Sequence, residues 1–270
     1  MRSILSICKA VARRLGDWRV WLVHLLGNPL LFALFVGWLF IPESRSWQLG
    51  FSFLGVILLA AATLLLEAGT LGYFASDAQA GLASVRDAYG RSFRNFGAVL
   101  ACGAVACLGW WLAGRLEIYE ITLPAYLRSE MPVAMRRHIT RAEIGHAYAV
   151  FTFVVHWILC PGLLLPFVAA ATRFGFRGFP QGVVASWRAI CSGSYWLLFS
   201  VLALAGLLLT GRLISWRPQA HDATVAHESV SMVLRLSSAY LIGLTAWLGT
   251  CALLGSRLVS GAEVRRQTVG

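Results

Sequence analysis

The chain has 270 residues, of which 58% are hydrophobic and only 13% are charged, and its mean hydropathy is +0.70. It carries more apolar surface than a water-soluble domain can bury, so the composition excludes an ordinary soluble protein. The net charge of +11 comes mainly from arginines scattered between apolar stretches, a distribution that favours phospholipid head groups and argues against nucleic acid as a partner.

Six mainly apolar stretches, each about twenty residues long, recur along the chain. A helix rises about 1.5 Å per residue, so about twenty residues cross a hydrocarbon core of about 30 Å. The sequence therefore predicts an all-α fold, a polytopic bundle of six transmembrane helices that forms one integral membrane domain over 1–270. The predicted spans lie near 20–41, 51–74, 96–115, 148–171, 194–214 and 236–257.

A basic flank leads into span 1. The apolar stretch after it runs to about Phe40, which is longer than the roughly 7–15 residues of a signal-peptide core, and no convincing small-residue cleavage site follows. We therefore predict that span 1 remains in the protein as a transmembrane helix.

Spans 1 and 2 carry polar side chains at similar depth. Measured from the predicted cytoplasmic end of each span, Glu67 lies about 10 Å deep on span 2 and His24 about 6 Å deep on span 1. Asn28 follows His24 by one helical turn. A charge at the membrane centre costs about 2.5–3.5 kcal/mol on insertion scales, so these groups require an explanation. Two alternatives stay open. One is a protonatable Glu67–His24 pair in a proton or ion path, and the other is a protonated Glu67 that links the helices by hydrogen bonding to His24 or to a backbone carbonyl.

Two connections between spans have the periodicity of amphipathic helices. In 81–96 apolar residues recur at spacings of three and four, and Gly182–Ser192 places Val184, Trp187 and Cys191 on one face. We predict that both are short helices lying along the cytoplasmic head groups, each leading into the next span. The apolar stripe of the first is Leu82, Val85, Tyr89, Phe93 and Phe96, and the arginines predicted to contact lipid are Arg86, Arg91, Arg94 and Arg188.

Local likenesses indicate an internal repeat, with two alternatives. The residues Ala-Ser-Val-Arg at 83–86 resemble Ala-Ser-Trp-Arg at 185–188, which relates spans 2–3 to spans 4–5 in the same orientation. A histidine followed by proline five residues later occurs in spans 1 and 4, which relates those spans in opposite orientation. The small residues Ala98, Cys102 and Ala106 on span 3 predict close helix packing, either inside one bundle or between two copies.

The connections on the other side of the membrane hold the remaining histidines. Glu143 and His146 have the Glu-x-x-His spacing that places two metal ligands on one helical face, but a zinc or iron site needs three or four convergent ligands. The six cysteines form no metal motif and imply no disulfide framework. We therefore predict no metal and no other cofactor. The weak metal-ligand candidates are His138, Glu143, His146, His221 and His227.

Prolines fall inside two spans, Pro29 in span 1 and Pro161 in span 4. Each removes one helical hydrogen bond, so we predict that both prolines interrupt or kink their helices. Interrupted helices at corresponding positions mark substrate sites in some transporters, whereas prolines also kink membrane helices that bind nothing. His156, about one turn before Pro161, is predicted to bond a neighbouring helix.

The distribution of basic residues predicts the orientation. Fourteen of the 23 Lys and Arg residues lie on the side of the membrane that holds both termini, and such a bias favours the cytoplasm. Four arginines in the 116–147 connection weaken the bias. The sequence thus predicts an integral protein of a bacterial inner (plasma) membrane with both termini in the cytoplasm.

No stretch contains Gly-x-Ser-x-Gly, His-Glu-x-x-His, a Walker loop or a dinucleotide fingerprint, so the common enzyme classes lack support. The leading prediction is a non-enzymatic scaffold or accessory component that acts through membrane lipids, a membrane-protein partner or a second copy of itself. The alternative is a small permease with Glu67, His24, Asn28 and the interrupted spans 1 and 4 lining its path, and an intramembrane metal-dependent enzyme ranks third. The further path candidates on those two spans are Pro29, His156 and Pro161. A cavity reaching Glu67 favours the permease, whereas a closed bundle favours the scaffold.

Overall fold

The computed structural model describes residues 4–42, 44–75, 85–216 and 225–269, with side chains for 227–258 in the last range. These residues are almost entirely helical and contain no strand. A 3₁₀ turn, Arg115–Tyr119, follows α5, and a π-helical turn, Val155–Leu159, joins α8 to α9. The α-helices are α1 (Ile4–Leu15), α2 (Trp18–Leu39), α3 (Ser46–Ala75), α4 (Val85–Arg94), α5 (Phe96–Gly114), α6 (Thr122–Glu130), α7 (Val133–Arg136), α8 (Arg141–Val154), α9 (Cys160–Phe174), α10 (Phe179–Ile190), α11 (Gly193–Ser215) and α12 (Val225–Val269).

Six helical segments of the described chain are long and apolar enough to cross a membrane, which confirms the predicted all-α fold with six spans. The fourth begins at Arg141 and the sixth at His227, several residues before the predicted boundaries, because polar turns precede the apolar core of each helix. Large apolar side chains such as Leu26 and Phe32 are about two-thirds exposed along the spans. Lipid satisfies such a surface, whereas water does not.

The tightest packing lies at one end of the bundle, which we call the α1 end. Here residues 248–258 of α12 are almost entirely buried, and Leu248, Leu253 and Leu258 have no exposed surface. Phe74 at the end of α3 and Tyr195 at the start of α11 pack against this segment. At the α1 end, the last spanning helix therefore lies at the centre of the bundle.

Two arginines terminate α3 at this end. The Nη1 atom of Arg14 donates to the carbonyl of Phe74 at 2.6 Å, and the Nη1 atom of Arg173 donates to the carbonyl of Ala75 at 3.0 Å. The last carbonyls of a helix have no partner within the helix and carry partial negative charge, so both guanidinium groups stabilise this terminus. They also tie α1 and α9 to α3.

Helix α1 is an element that the sequence reasoning missed. Its residues Ile7, Val11 and Leu15 recur every fourth position and pack into the core at the α1 end. The indole of Trp21 donates to the Leu15 carbonyl at 2.7 Å, and the indole of Trp196 donates to the Ile190 carbonyl at 2.8 Å. The same contact therefore occurs in α1–α2 and in α10–α11: a tryptophan in the first turn of a span donates to the C-terminal end of the short helix before it.

The predicted helix over 81–96 is observed as α4, and residues 81–84 with Leu82 lie outside the described residues. Its buried face carries Ala88 and Ser92, and Ser92 donates to the Ala68 carbonyl of α3 at 3.0 Å. Phe93 of the predicted apolar stripe is 68% exposed, an orientation in which it can face lipid. The small residues Ala88 and Ser92 allow α4 to lie close against α3.

The predicted helix over 182–192 is observed as α10, which begins earlier, at Phe179. Val184, Trp187, Arg188 and Cys191 are all exposed on the face away from the bundle. The opposite face packs on α9, where Ser186 donates to the Pro166 carbonyl at 2.9 Å.

Neither proline breaks its span, which corrects the predicted interruptions. Helix α2 stays α-helical through Pro29, and in the fourth span Pro161 occupies the first turn of α9, directly after the π-helical turn. Pro161 has no N–H to donate to the preceding turn, and the π-helical turn directly before it is where the backbone departs from α geometry. Span 4 therefore changes helix type without leaving the helix.

Candidate functional site

A chain of hydrogen bonds crosses four helices near the α1 end. The Nε2 atom of His24 on α2 lies 2.8 Å from the hydroxyl oxygen of Thr70 on α3, which lies 3.0 Å from the hydroxyl oxygen of Tyr89 on α4. Asn28 approaches His24 Nδ1 at 3.4 Å and donates to the hydroxyl of Tyr240 on α12 at 3.2 Å. Tyr240 in turn donates to the His24 carbonyl at 3.0 Å.

The side chains of this hydrogen-bond network can all find partners while they are uncharged. Thr70 donates its hydroxyl proton to the Leu66 carbonyl at 3.0 Å, so it accepts from the Nε2–H of His24. The Nδ1 atom of His24 is then free to accept from Asn28. A fully satisfied polar network fixes the relative positions of the helices, so this network serves to hold α2, α3, α4 and α12 together.

Tyr89 reaches this network because α4 lies directly against Gly69. A β-carbon at position 69 would fall 2.4 Å from the Tyr89 ring, so only glycine leaves room for it. Burial raises the pKa of Tyr89 to about 12. The phenol therefore stays protonated and remains a hydrogen-bond donor at neutral pH.

Glu67 does not pair with His24, which corrects the predicted contact. Thr70 occupies the place beside the imidazole, and Glu67 lies three residues earlier on α3, which rotates it by about 60° around the helix. The Glu67 side chain instead faces α12 beside Trp247. Equal depth on adjacent helices was therefore not enough to predict the partner.

Glu67 lies in a groove between α2, α3, α11 and α12. The groove has a volume of about 600 Å³. The Oε2 atom of Glu67 and the Nε1 atom of Trp247 are buried, and neither has a hydrogen-bond partner among the described residues. The lining residues are Asn28, Glu67, Thr210, Ile214, Leu236, Ala239, Tyr240, Gly243, Leu244 and Trp247.

The groove runs from the middle of the bundle towards the end opposite α1. Along α12 it extends from Trp247 to Leu236, eleven residues or about 16 Å. On α11 it reaches Ile214, next to the last residue of that helix. Glu67 lies at its deep end, about 12 Å before α3 terminates. The groove is thus an apolar cleft with one carboxyl group at its base.

A second polar contact joins the two irregular turns at the end opposite α1. The Nδ1 atom of His156 in the π turn lies 2.7 Å from the Oε1 atom of Glu117 in the 3₁₀ turn. The imidazole packs against the rings of Trp110 and Trp157, with centroid distances of 4.6 and 4.9 Å, and the two indoles also contact each other. The bond of His156 to a neighbouring element was predicted, but its partner was not, because Glu117 belonged to a connection with four glutamates.

The predicted metal candidates do not converge in the described part of the chain. Glu143 completes a capping box at the start of α8, accepting from the Thr140 backbone amide at 2.7 Å while Thr140 accepts from the Glu143 amide. His138, His146 and His227 are exposed, and His221 lies outside the described residues. No group of three or more His, Cys, Asp or Glu that could hold a metal occurs among the residues searched.

The arginines predicted to contact lipid lie on α4 and α10. Arg86, Arg94 and Arg188 are exposed, while Arg91 is half-buried and donates to the Asp87 carbonyl of its own helix at 3.4 Å. Arg188 lies on the same outward face as Trp187, which is 61% exposed. Contact with phospholipid remains a prediction for all four.

These elements define the class of protein: an integral membrane protein, all-α, with six spanning helices and an apolar groove that holds one carboxyl group. Comparison with protein-family models, with curated proteins and with solved structures found no match. The function is therefore inferred from the groove and its carboxyl group.

Proposed function

We propose that this protein is a small permease and that the groove at Glu67 is its solute site. The observation that supports this is the carboxyl group of Glu67 at the base of a groove of about 600 Å³, with Oε2 unpartnered among the described residues. An acidic side chain within a membrane is costly, and such groups commonly mark solute and ion pathways. A scaffold with a closed interior has no need of one.

In this proposal Glu67 exchanges a proton as the solute enters or leaves. Burial in an apolar groove disfavours the charged form of a carboxyl group unless a compensating charge is nearby, so in this proposal Glu67 binds a proton at one stage of transport and releases it at another. The network of His24, Thr70 and Tyr240 supports the wall behind the groove rather than carrying protons, since its groups are satisfied as neutral species. Asn28 belongs to both, because it lines the groove and bonds to Tyr240.

The proposal places both termini in the cytoplasm of a bacterial cell and the open end of the groove on the outer face of the inner membrane. The excess of basic residues on the α1 side supports this orientation. Helices α4 and α10 then lie at the inner head groups, where Arg86 and Arg188 contact anionic lipid. The chain acts there as a single domain.

Proteoliposomes with a trapped pH-sensitive dye test the proposal. The purified full chain is exposed in turn to an organic cation, an organic anion, a zwitterionic amino acid and a neutral sugar. We expect at least one class to move protons across the membrane. We expect Glu67→Gln to abolish this signal, because an amide does not bind and release a proton as a carboxyl group does.

The matched control is Glu130→Gln, which removes a carboxylate from the exposed end of α6, away from the groove. It should transport as the wild type does. Proton movement that persists in Glu67→Gln, or that no class elicits in the wild type, rejects the permease. The latter result favours a scaffold or accessory component that acts through a membrane partner or a second copy of the chain.

A further inference from the structure

The walls of the groove are apolar and its charge is of one sign. Ile214, Leu236 and Leu244 supply much of the lining, and the polar atoms belong to a few side chains. Glu67 is the acidic residue of the lining, and no Lys, Arg or His lines the groove within the part of the chain that the structure describes. Any charge that the groove takes up must therefore balance a carboxylate.

Basic residues near the groove are engaged elsewhere. The ring nitrogens of His24 contact Thr70 and Asn28, and Thr70 lies about 60° around α3 from Glu67. Arg235, beside Leu236 at the open end, donates to the Trp216 carbonyl and to the Ser231 carbonyl of its own helix. Neither residue reaches the base of the groove as a counter-ion to Glu67.

Two aromatic residues of α12 complete the lining around the carboxyl group. Tyr240 and Trp247 both line the groove, and Trp247 lies beside Glu67. Most of the remaining lining is apolar, so Glu67 offers a negative charge within a hydrocarbon-lined groove. Such a groove suits a positive group carried on an apolar body, because the charge pairs with the carboxylate while the body contacts the apolar walls.

We propose that the solute of this groove is an organic cation, an amine or onium group carried on an apolar body. The assignment rests on the proposed permease function and names the class of its solute. The positive group pairs with Glu67, and the apolar body fills the cleft towards Ile214 and Leu236. A volume of about 600 Å³ is large enough to hold a drug-sized molecule, and it exceeds what a bare inorganic ion requires.

Two ions of the same shape and opposite charge test this assignment: tetraphenylphosphonium and tetraphenylborate. Their binding to the full chain in nanodiscs is measured by equilibrium dialysis, and empty nanodiscs provide the correction for partition into lipid. We expect saturable binding of the phosphonium ion and none of the borate ion. Glu67→Gln should weaken phosphonium binding at least about tenfold, which corresponds to about 1.4 kcal/mol, while Glu130→Gln should leave it unchanged.

A second variant guards against misfolding of Glu67→Gln. A β-carbon at Gly243 would meet only the Thr210 hydroxyl, at 3.9 Å, so Gly243→Leu fills the groove and leaves the carboxyl group in place. Leucine also has the higher helix propensity, so the fold should persist. We expect this variant to lose phosphonium binding as well.

The outcomes separate this assignment from the permease itself. Borate binding equal to phosphonium binding, or phosphonium binding that both variants leave unchanged, overturns the cation assignment. If anions or sugars then drive Glu67-dependent proton movement in proteoliposomes, the permease stands with a different solute. If phosphonium binds through Glu67 but no class moves protons, the cation site stands and the permease falls.

Discussion

The Nδ1 atom of His156 lies 2.7 Å from the Oε1 atom of Glu117, and this contact joins the π turn of the fourth span to the 3₁₀ turn after α5. The imidazole is almost completely buried, and its Nε2 atom has no partner among the described residues. Glu117 is therefore the one hydrogen-bond partner recorded for this ring. The contact fixes the end of the bundle opposite α1, where packing is otherwise loose.

Replacing Glu117 by alanine should destabilise the protein. The change leaves His156 buried with both ring nitrogens unsatisfied, and such a loss costs about 1–3 kcal/mol. Thermal unfolding in detergent, followed by tryptophan fluorescence, measures the effect. Glu120→Ala removes an exposed carboxylate three residues away and should change the unfolding temperature little. Equal unfolding temperatures for the two variants would contradict this role of Glu117.

Gly255→Ala should disrupt the α1 end. A β-carbon at this position would lie 2.1 Å from the Phe74 carbonyl oxygen, a backbone atom that cannot rotate away. Overpacking in a core typically costs about 1–3 kcal/mol, and contact with backbone belongs at the upper end. The yield of monodisperse protein after extraction is the readout. Gly211→Ala on α11 meets nothing within 4 Å and should behave as the wild type, so similar losses in both variants would argue against the close contact.

Arg14→Met should loosen α1 from the bundle. The substitution keeps an apolar side chain but removes the donor to the Phe74 carbonyl at the α3 terminus. We expect limited trypsin digestion to cut within α1 faster than in the wild type, because a protease needs locally unfolded backbone and opening of α1 supplies it at the exposed Lys9. Arg13→Met alters an exposed neighbour and should not accelerate this cleavage. Identical digestion of both variants would show that the cap contributes little.

Trp21→Phe and Trp196→Phe should have similar effects. Each substitution retains an aromatic ring and removes the indole donor that caps α1 or α10, and one hydrogen bond contributes about 0.5–1.5 kcal/mol. Chemical denaturation in mixed micelles compares them with Trp187→Phe, which alters an exposed indole of α10. If only one of the two capping variants has a lower unfolding free energy, the two hydrogen bonds do not contribute equally to stability.

Tyr89 predicts a loss of stability at alkaline pH. Burial raises its pKa from 10.0 to about 12 in the folded state. The contribution of the buried phenol is complete below pH 10 and is lost as the pH rises towards about 12, because the unfolded chain then releases the proton more readily. The unfolding free energy of Tyr89→Phe should fall less over this interval than that of the wild type. Tyr126→Phe, at an exposed position, should follow the wild type, and a Tyr89→Phe curve parallel to it would refute the assignment.

The sequence by itself determined the six spans, because crossing lipid imposes a length and an apolar composition on each helix separately. Periodicity likewise predicted α4 and α10, but it did not indicate that Ala88 and Ser92 form the face of α4 that packs on α3. Helix α1 was missed because its apolar residues are interleaved with basic ones that were attributed to membrane orientation. Properties local to one helix were thus readable from the chain.

Only the tertiary structure decided which polar groups meet. The rotation of one helix against another determines such contacts, and each residue along a helix turns the side chain by about 100°. A step of three residues is what separates Thr70, which bonds to His24, from Glu67, which faces α12. The sequence located the acid inside the membrane. The packing of α2, α3, α11 and α12 placed it at the base of a groove, because that relation depends on four helices at once.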